Sequence, residues 1–195
     1  MLKEIRPAII ILVGLTLITG VAYPLAMTGI AGVIFPRQAQ GSIIEKDGKV
    51  IGSALIGQSF SDVKYFHPRP SAAGNGYDPT NSGGSNLGPT SSNLVANITA
   101  NIATYRADNN IATNSPIYNM IPADAVTESA SGLDPHISPA NAEIQIARVA
   151  KARGISEGKL RELVRQNTSG RDLGLLGEPR VNVMTLNFAL DNLAK

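Results

Sequence analysis

The sequence contains no cysteine and no tryptophan, holds only two histidines, and draws just 5% of its 195 residues from the aromatics. Without thiols there is no disulfide, no thiolate zinc site, no cysteine nucleophile and no cysteine for lipid attachment. Two histidines, His67 and His136, with no HExxH or CxxC pattern leave metal-assisted hydrolysis without a ligand signature. No serine stands in a GxSxG elbow and no GxxxxGK[ST] loop is present. The "GNG" at 74–76 lacks both a third glycine and a helix start behind it. An excess of one charge is missing too. The net charge is +2, from 17 basic and 15 acidic residues, and it resides in the first 37 positions, where Lys3, Arg6 and Arg37 outnumber Glu4. The rest of the chain is neutral and offers no basic face, so nucleic acid is not an expected partner.

What the sequence does have is one long uncharged run, Ala8 to Pro36. As a helix it would reach more than ~40 Å, against roughly 30 Å of bilayer hydrocarbon. The reading is a short basic leader at 1–7, a transmembrane helix at 8–30 tilted or kinked at Pro24, and a connector at 31–41. Tyr23, Phe35 and Arg37 would anchor its far end. A cleaved secretory signal ending near "GVA" (20–22) is the competing reading, but the apolar run is about twice an ordinary signal core and continues past that site. Basic residues flank the span on both sides. The short basic leader favours a cytoplasmic N-terminus and an extracytoplasmic C-terminal domain in a bacterial inner membrane, where lipid is the first partner.

Residues 42–195 read as one soluble α+β domain, since a hairpin and separate helices follow one another without a βαβ rhythm. "SIIEKDGKVIGSALIG" (42–57) predicts a hairpin turning at Asp47-Gly48, with Ile43, Ile44, Val50, Ile51, Leu55 and Ile56 on its buried face. The Gly/Pro-rich stretch 65–93 has no periodicity, yet Tyr65, Phe66, Arg69, Tyr77 and Leu87 argue for an ordered loop. A helix is predicted over 92–109, capped by Ser92 or Asn93, with Leu94, Ile98, Ile102 and Tyr105 inward. "IPADAV" (121–126) reads as entry into a strand, "RVNV" (180–183) as a strand, and "LNFALDNL" (186–193) as a closing helix.

"SASGLDPHISPANAEIQIARVAKARG" (129–154) places Asp134 and His136 two apart before an amphipathic run. Ser138 is the expected N-cap with Pro139 in the first turn, and Gly154 the left-handed stop. Ala142, Ile146, Val149 and Ala150 would be buried, and Gln145, Arg148 and Ala152 would face outward. Asp134 and His136 then belong to a turn, with Asp134 accepting from backbone N–H groups, rather than to a metal or catalytic pair. Ser156 would cap a further helix with Leu160, Leu163 and Val164 inward.

That stretch, from Ala130 on, resembles the signature of the C subunit of ATP-driven potassium-transport complexes, the KdpC family. "GSALIGQSF" with "YFHPRPSA", "SGGSNLGPTS", and "LGEPRVNVMTLNFAL" match that family in order along the chain, and "RPAIIILVGLTLITGVAYPL" is similar as well. The least matched part is 105–120. The resemblance implies a single-span subunit, not an enzyme, assembled with a channel-like potassium-conducting subunit, a P-type ATPase subunit and a very small extra subunit. It further implies either a catalytic chaperone that raises the ATPase subunit's affinity for ATP or an external cap near the pore entrance. No cofactor is expected to bind tightly; ATP enters only as a transient ligand shared with the ATPase subunit.

If the domain lay inside the cell, Gln145, after the helix start at Ser138, would be the first nucleotide contact; otherwise it is a solvated or interface residue. Partner contacts are expected at Tyr65, Phe66, Arg69 and Tyr77. In the span they are expected at Gly14, Gly20, Ala22 and Gly29, because helix packing in lipid relies on close backbone approach. A membrane-anchored enzyme or ligand-binding domain with its site in 65–93 is the alternative, and it calls for a deep pocket near His67, Tyr65 or Asp78.

Overall fold

A computed structural model describes residues 2–46 and 48–193. The chain forms two compact units that divide between Ser53 and Ala54. The division was expected near residue 42; the hairpin instead belongs with the N-terminal helix, tied back by Ser53 Oγ donating to the Gly41 carbonyl at 2.6 Å and Ser42 N–H to Arg37.

The first unit opens with α1 (Leu2–Leu17), a π turn (Ile18–Ala22) and α2 (Tyr23–Ile34). Together Lys3–Ile34 make one helix long and apolar enough to cross a membrane, with no buried side. The cause of the π turn is Pro24. It has no N–H, and its ring crowds the carbonyl four residues back, so the preceding turn widens until Tyr23 N–H reaches Ile18. A short α3 (Pro36–Ala39) follows. Strands β1 (Ile43–Lys46) and β2 (Lys49–Ser53) then pair antiparallel, with a register shift between Ile44 and Glu45. Asp47 of the expected turn lies outside the described residues; Gly48 has the positive φ the turn needs.

The hairpin's predicted buried face is a correction. Ile43 and Val50 are exposed, Ile44 and Ile51 only half-buried. The bulge breaks the alternation, and a two-stranded ribbon has no second layer of its own to cover one side. Leu55 and Ile56 fall after the hairpin and are exposed as well.

The second unit is built around α4 (Ser92–Asp108), β3 (His136–Ile137), α5 (Pro139–Arg153), α6 (Glu157–Gln166), β4 (Thr168–Ser169), β5 (Arg180–Asn182) and α7 (Val183–Leu193). The three short strands form one antiparallel sheet in the order β3-β5-β4. Its middle strand puts Val181 into the core, and Ile137 and Leu186 pack with it. The helix periodicities meet here: Ile146 and Val149 from α5, Leu160 and Leu163 from α6, and Leu190 from α7 bury against one another. A second apolar cluster joins Tyr105 of α4 to Ala125 and Val126, with Ile98 and Ile102 partly buried beside them.

Helix α5 begins and ends as its residues dictate. Ser138 Oγ accepts from Asn141 N–H, Pro139 occupies the first turn, and Gly154 closes the helix at φ +66. Helix α4 starts one residue earlier than expected, with Ser91 at the N-cap, and Ser156 occupies the N-cap of α6. The strand expected at 121–126 is instead a 3-10 turn, Ala123–Ala125. Asp124 decides this: its carboxylate accepts from Ser138 N–H, Ser138 Oγ and Asn141 Nδ2, and a tight turn aims it at the start of α5.

Gly132 sits at φ +66 where a Cβ would lie 2.6 Å from Ala73 N and 2.7 Å from Ala73 Cβ. Gly154 has the same φ but open space around it. Gly154→Ala should therefore lose only the left-handed preference, about 1 kcal/mol, and Gly132→Ala should lose at least about 2 kcal/mol. Thermal melting of the two variants side by side checks this ordering.

Candidate functional site

The stretch 65–93 has no regular structure of its own, so its backbone polar groups need partners elsewhere. Two amide side chains supply the first of them. Asn187 of α7 accepts from Phe66 N–H and donates to the Phe66 carbonyl, both at 2.9 Å. Gln145 of α5 treats the next residue the same way: Oε1 accepts from His67 N–H at 2.7 Å and Nε2 donates to the His67 carbonyl at 3.1 Å. The Phe66 ring, with no exposed surface, fills the core between those helices.

This corrects two expectations. Phe66 is a core residue and has no surface to offer a partner. Gln145 does not face outward: it is 1% exposed, and its amide also meets Asn141 Oδ1 at 2.9 Å and Arg148 Nη2 at 2.8 Å. Arg148, expected outward as well, is buried; Ala152 is exposed as expected. Helix α5 has a second covered side because the 62–67 segment lies along it. Polar side chains suit that side because what covers it is backbone rather than hydrocarbon.

Arg148 is a buried cation with no carboxylate within 4 Å among the described residues. Its guanidinium donates to the carbonyls of Val63 (2.7 Å) and Tyr65 (2.9 Å), to Asn109 Oδ1 and to Gln145 Oε1. Burial pulls its pKa below the ordinary arginine value, against the opposing field of Asp108. His67 Nε2 lies 3.3 Å from Arg148 Nη1 and 3.2 Å from the Asp62 carbonyl. That nitrogen can accept from the guanidinium or donate to the carbonyl, not both. Burial, and then the neighbouring Arg148 charge, push the His67 pKa down, against weaker pulls from Asp62 and Asp108.

The other expected contacts are held inside the second unit. Tyr65 donates to Asp191 Oδ2 at 3.1 Å, under the Arg153 guanidinium, which pairs with Asp191 Oδ1 at 2.7 Å. Arg69 pairs with Asp134 at 2.9 Å and donates to the Glu128 carbonyl at 3.1 Å. Tyr77 donates to the Arg69 carbonyl at 2.9 Å, and burial raises its pKa. Asp134 accepts from His136 N–H at 2.9 Å, and the His136 ring nitrogen lies 3.3 Å from the same oxygen. Burial would raise the Asp134 pKa, but the hydrogen bonds from His136 and Arg69 win and hold it low.

In the first unit, Cβ atoms at Gly14 and Gly29 would meet nothing within 4 Å, and one at Gly20 only the Thr16 methyl at 3.9 Å. Ala22 is exposed. Among the described residues nothing requires those residues to be small.

The alternative of a ligand site in 65–93 meets one open cleft of about 370 Å³, lined in part by His67, Arg69, Tyr77, Thr104 and Asp108. Tyr65 and Asp78 are not among its lining residues. No group of three or more His, Asp and Glu side chains gathers to hold a metal among the described residues. Asn187 and Asn141 were missed by the sequence reading, and Tyr105 was read only as an inward residue of its helix. Tyr105 donates to Asn141 Oδ1 at 2.8 Å and so links α4 to the same amide network. The available signal was Asn187 itself, a polar residue on the apolar face shared by Val183 and Leu190.

The profile of the family described as "KdpC: K+-transporting ATPase, c chain" matches residues 5–192. The chain belongs to that family. Curated relatives named potassium-transporting ATPase KdpC subunit include one from Bradyrhizobium diazoefficiens, 57% identical over all of this chain and 99% of its own length. Another, from Rhodospirillum rubrum, is 56% identical over 98% of this chain and 96% of its own. One from Mycobacterium bovis is 51% identical over 99% of this chain and all of its own. The chain is accordingly a KdpC subunit of a potassium-transporting ATPase, with one N-terminal helix able to span a membrane.

Two outcomes follow for the amide network. Gln145→Leu keeps the volume but orphans the His67 N–H and carbonyl, and should cost about 2–4 kcal/mol in chemical denaturation of the full chain in detergent. The His67 pKa is lower folded than unfolded, so the unfolded chain binds the proton first as pH falls. Stability should therefore be full above about pH 7 and decline below about 6.5. His67→Gln should flatten that decline when denaturation midpoints are compared between pH 8 and pH 5.

Proposed function

We propose that this subunit is non-catalytic and serves assembly, with its domain on the extracytoplasmic side and the α1–α2 helix as its anchor. Its partners are the potassium-conducting subunit, the P-type ATPase subunit and the very small extra subunit. Any effect on the ATPase subunit's affinity for ATP is transmitted by linkage through the assembled complex. The observation that carries this reading is the burial of Gln145. An amide whose oxygen accepts from His67 N–H and Arg148, and whose nitrogen donates to the His67 carbonyl and Asn141 Oδ1, has nothing left for a nucleotide. The start of α5 is likewise closed by Asp124, a carboxylate that would repel phosphate. The role of an external cap near the pore entrance fits the same topology and needs no nucleotide contact.

The absence of cysteine makes topology directly measurable. Ser71 is unsuitable for a probe because its hydroxyl donates to Gly132 and accepts from Ala73 and Tyr77 N–H. Ser85 is exposed. A Ser85→Cys chain, expressed with its partner subunits, should react with a membrane-impermeant maleimide in intact cells. Reaction only after lysis would place the domain inside and overturn the proposal.

A further inference from the structure

The connection between β4 and β5 carries an apolar tip that the core does not use. Leu173, Leu175 and Leu176 are 91%, 81% and 62% exposed, the largest such cluster outside the spanning helix and its flanks among the described residues. The tip is built, not slack. Asp172 and Leu176 exchange backbone hydrogen bonds at 2.8 and 2.9 Å, and Gly174 N–H donates to the Arg171 carbonyl at 3.1 Å. Leu173 is held at φ +54, a conformation that a leucine rarely adopts and that persists only when its surroundings enforce it. Two ion pairs clasp the base: Arg171 to both oxygens of Glu178 at 2.8 and 2.9 Å, and Arg180 to both oxygens of Asp172 at 3.3 Å. Arg180 opens β5, whose next residue, Val181, is fully buried, so the tip is joined to the core through one strand.

Charge decides what such a tip fits. A loop that docks on an anionic lipid surface carries excess Lys or Arg, and aromatic rings at the interface. Here the two bases face two acids, and residues 170–180 hold no aromatic and have a net charge of zero. We infer that the leucine tip is a docking knob for another protein subunit of the transport complex, one that presents an uncharged, aliphatic-lined pocket. Three leucines cover too little area for a stable interface alone, so the knob is the apolar centre of a wider polar contact. Preformed geometry is what such a centre needs, since little order remains to be lost on docking. This inference rests on the assembly role proposed above.

The test has two arms in the full chain. In the first, Leu173→Ser/Leu175→Ser is co-expressed with its partners, and the complex is purified through a tag on the ATPase subunit. Retention of the variant should fall at least tenfold against the unmutated chain, with its melting temperature unchanged. Equal retention overturns the knob and leaves the assembly role standing; failure of the unmutated chain to co-purify overturns both. In the second, Leu175→Cys carries an environment-sensitive fluorophore. A blue shift in the reconstituted complex, and none for the chain alone in liposomes, is the expected result. A shift for the chain alone means lipid docking, or a second copy if it grows with protein density, and either overturns the inference, as does no shift in the complex.

Discussion

The second unit depends on one constraint: the backbone at Phe66 and His67 runs between two helices and has no strand to pair with. A buried peptide group left unpaired costs about as much as a core cavity, so the segment cannot be packed on apolar surface alone. Asn187 and Gln145 remove the problem by acting as side-chain substitutes for neighbouring strands, each satisfying one donor and one acceptor. Once the backbone is fixed there, the Phe66 ring enters the core between α5 and α7. The rest of the 65–93 stretch can then be laid down from that point.

Arg148 follows from the same constraint. A charge in so buried a place is normally costly, and pairing with a carboxylate is the usual compensation. Here the guanidinium is met by carbonyl oxygens of Val63 and Tyr65 and amide oxygens of Asn109 and Gln145. Hydrogen bonds to a charged group are stronger than neutral ones, and guanidinium is more weakly hydrated than ammonium, which makes arginine rather than lysine the residue that can do this. The arrangement folds a turn of backbone around a cation, and Arg153 repeats it one turn on by donating to the Lys64 carbonyl. It also adds to the burial that lowers the His67 pKa: the Arg148 charge opposes a second proton beside it, against weaker pulls from Asp62 and Asp108.

Where sequence and structure agree, the reason is local. The Ser138 cap, Pro139 and Gly154 each act through their own backbone, so α5 was legible to the residue. The same holds for the leucines of α6 and the spanning helix, whose periodicity or absence of charge needs no partner to be read. Where they part, a distant segment decides. Gln145 and Arg148 repeat at helical spacing on the polar side of α5 and read as solvent-facing, because the sequence does not say that residues 62–67 cover them. Asp124 turns a predicted strand into a 3-10 turn through bonds to Ser138 and Asn141, fourteen and seventeen residues on. The hairpin failed in the opposite sense: its aliphatic residues are real, but burial needs a layer that its own unit does not supply.

The two kinds of apolar surface left over have different physical meanings. On α1 and α2 the aliphatic side chains are exposed all round, and lipid accounts for them without any protein partner. Leu173, Leu175 and Leu176 stand in a clasped loop with balanced charge, and nothing in lipid chemistry selects such a clasp. A flexible loop would lower the cost of exposing leucine to water by folding back over its own surface. The backbone hydrogen bonds between Asp172 and Leu176 and the left-handed Leu173 hold the loop against that collapse. Holding apolar groups in water is a standing cost, and a fold retains it when the same groups are covered in the assembled state. The fixed amide clamp and the fixed tip thus point the same way. On the proposed assembly role, a domain whose Gln145 and Asn187 turn inward to hold a backbone and whose spare leucines turn outward is shaped in advance for contact.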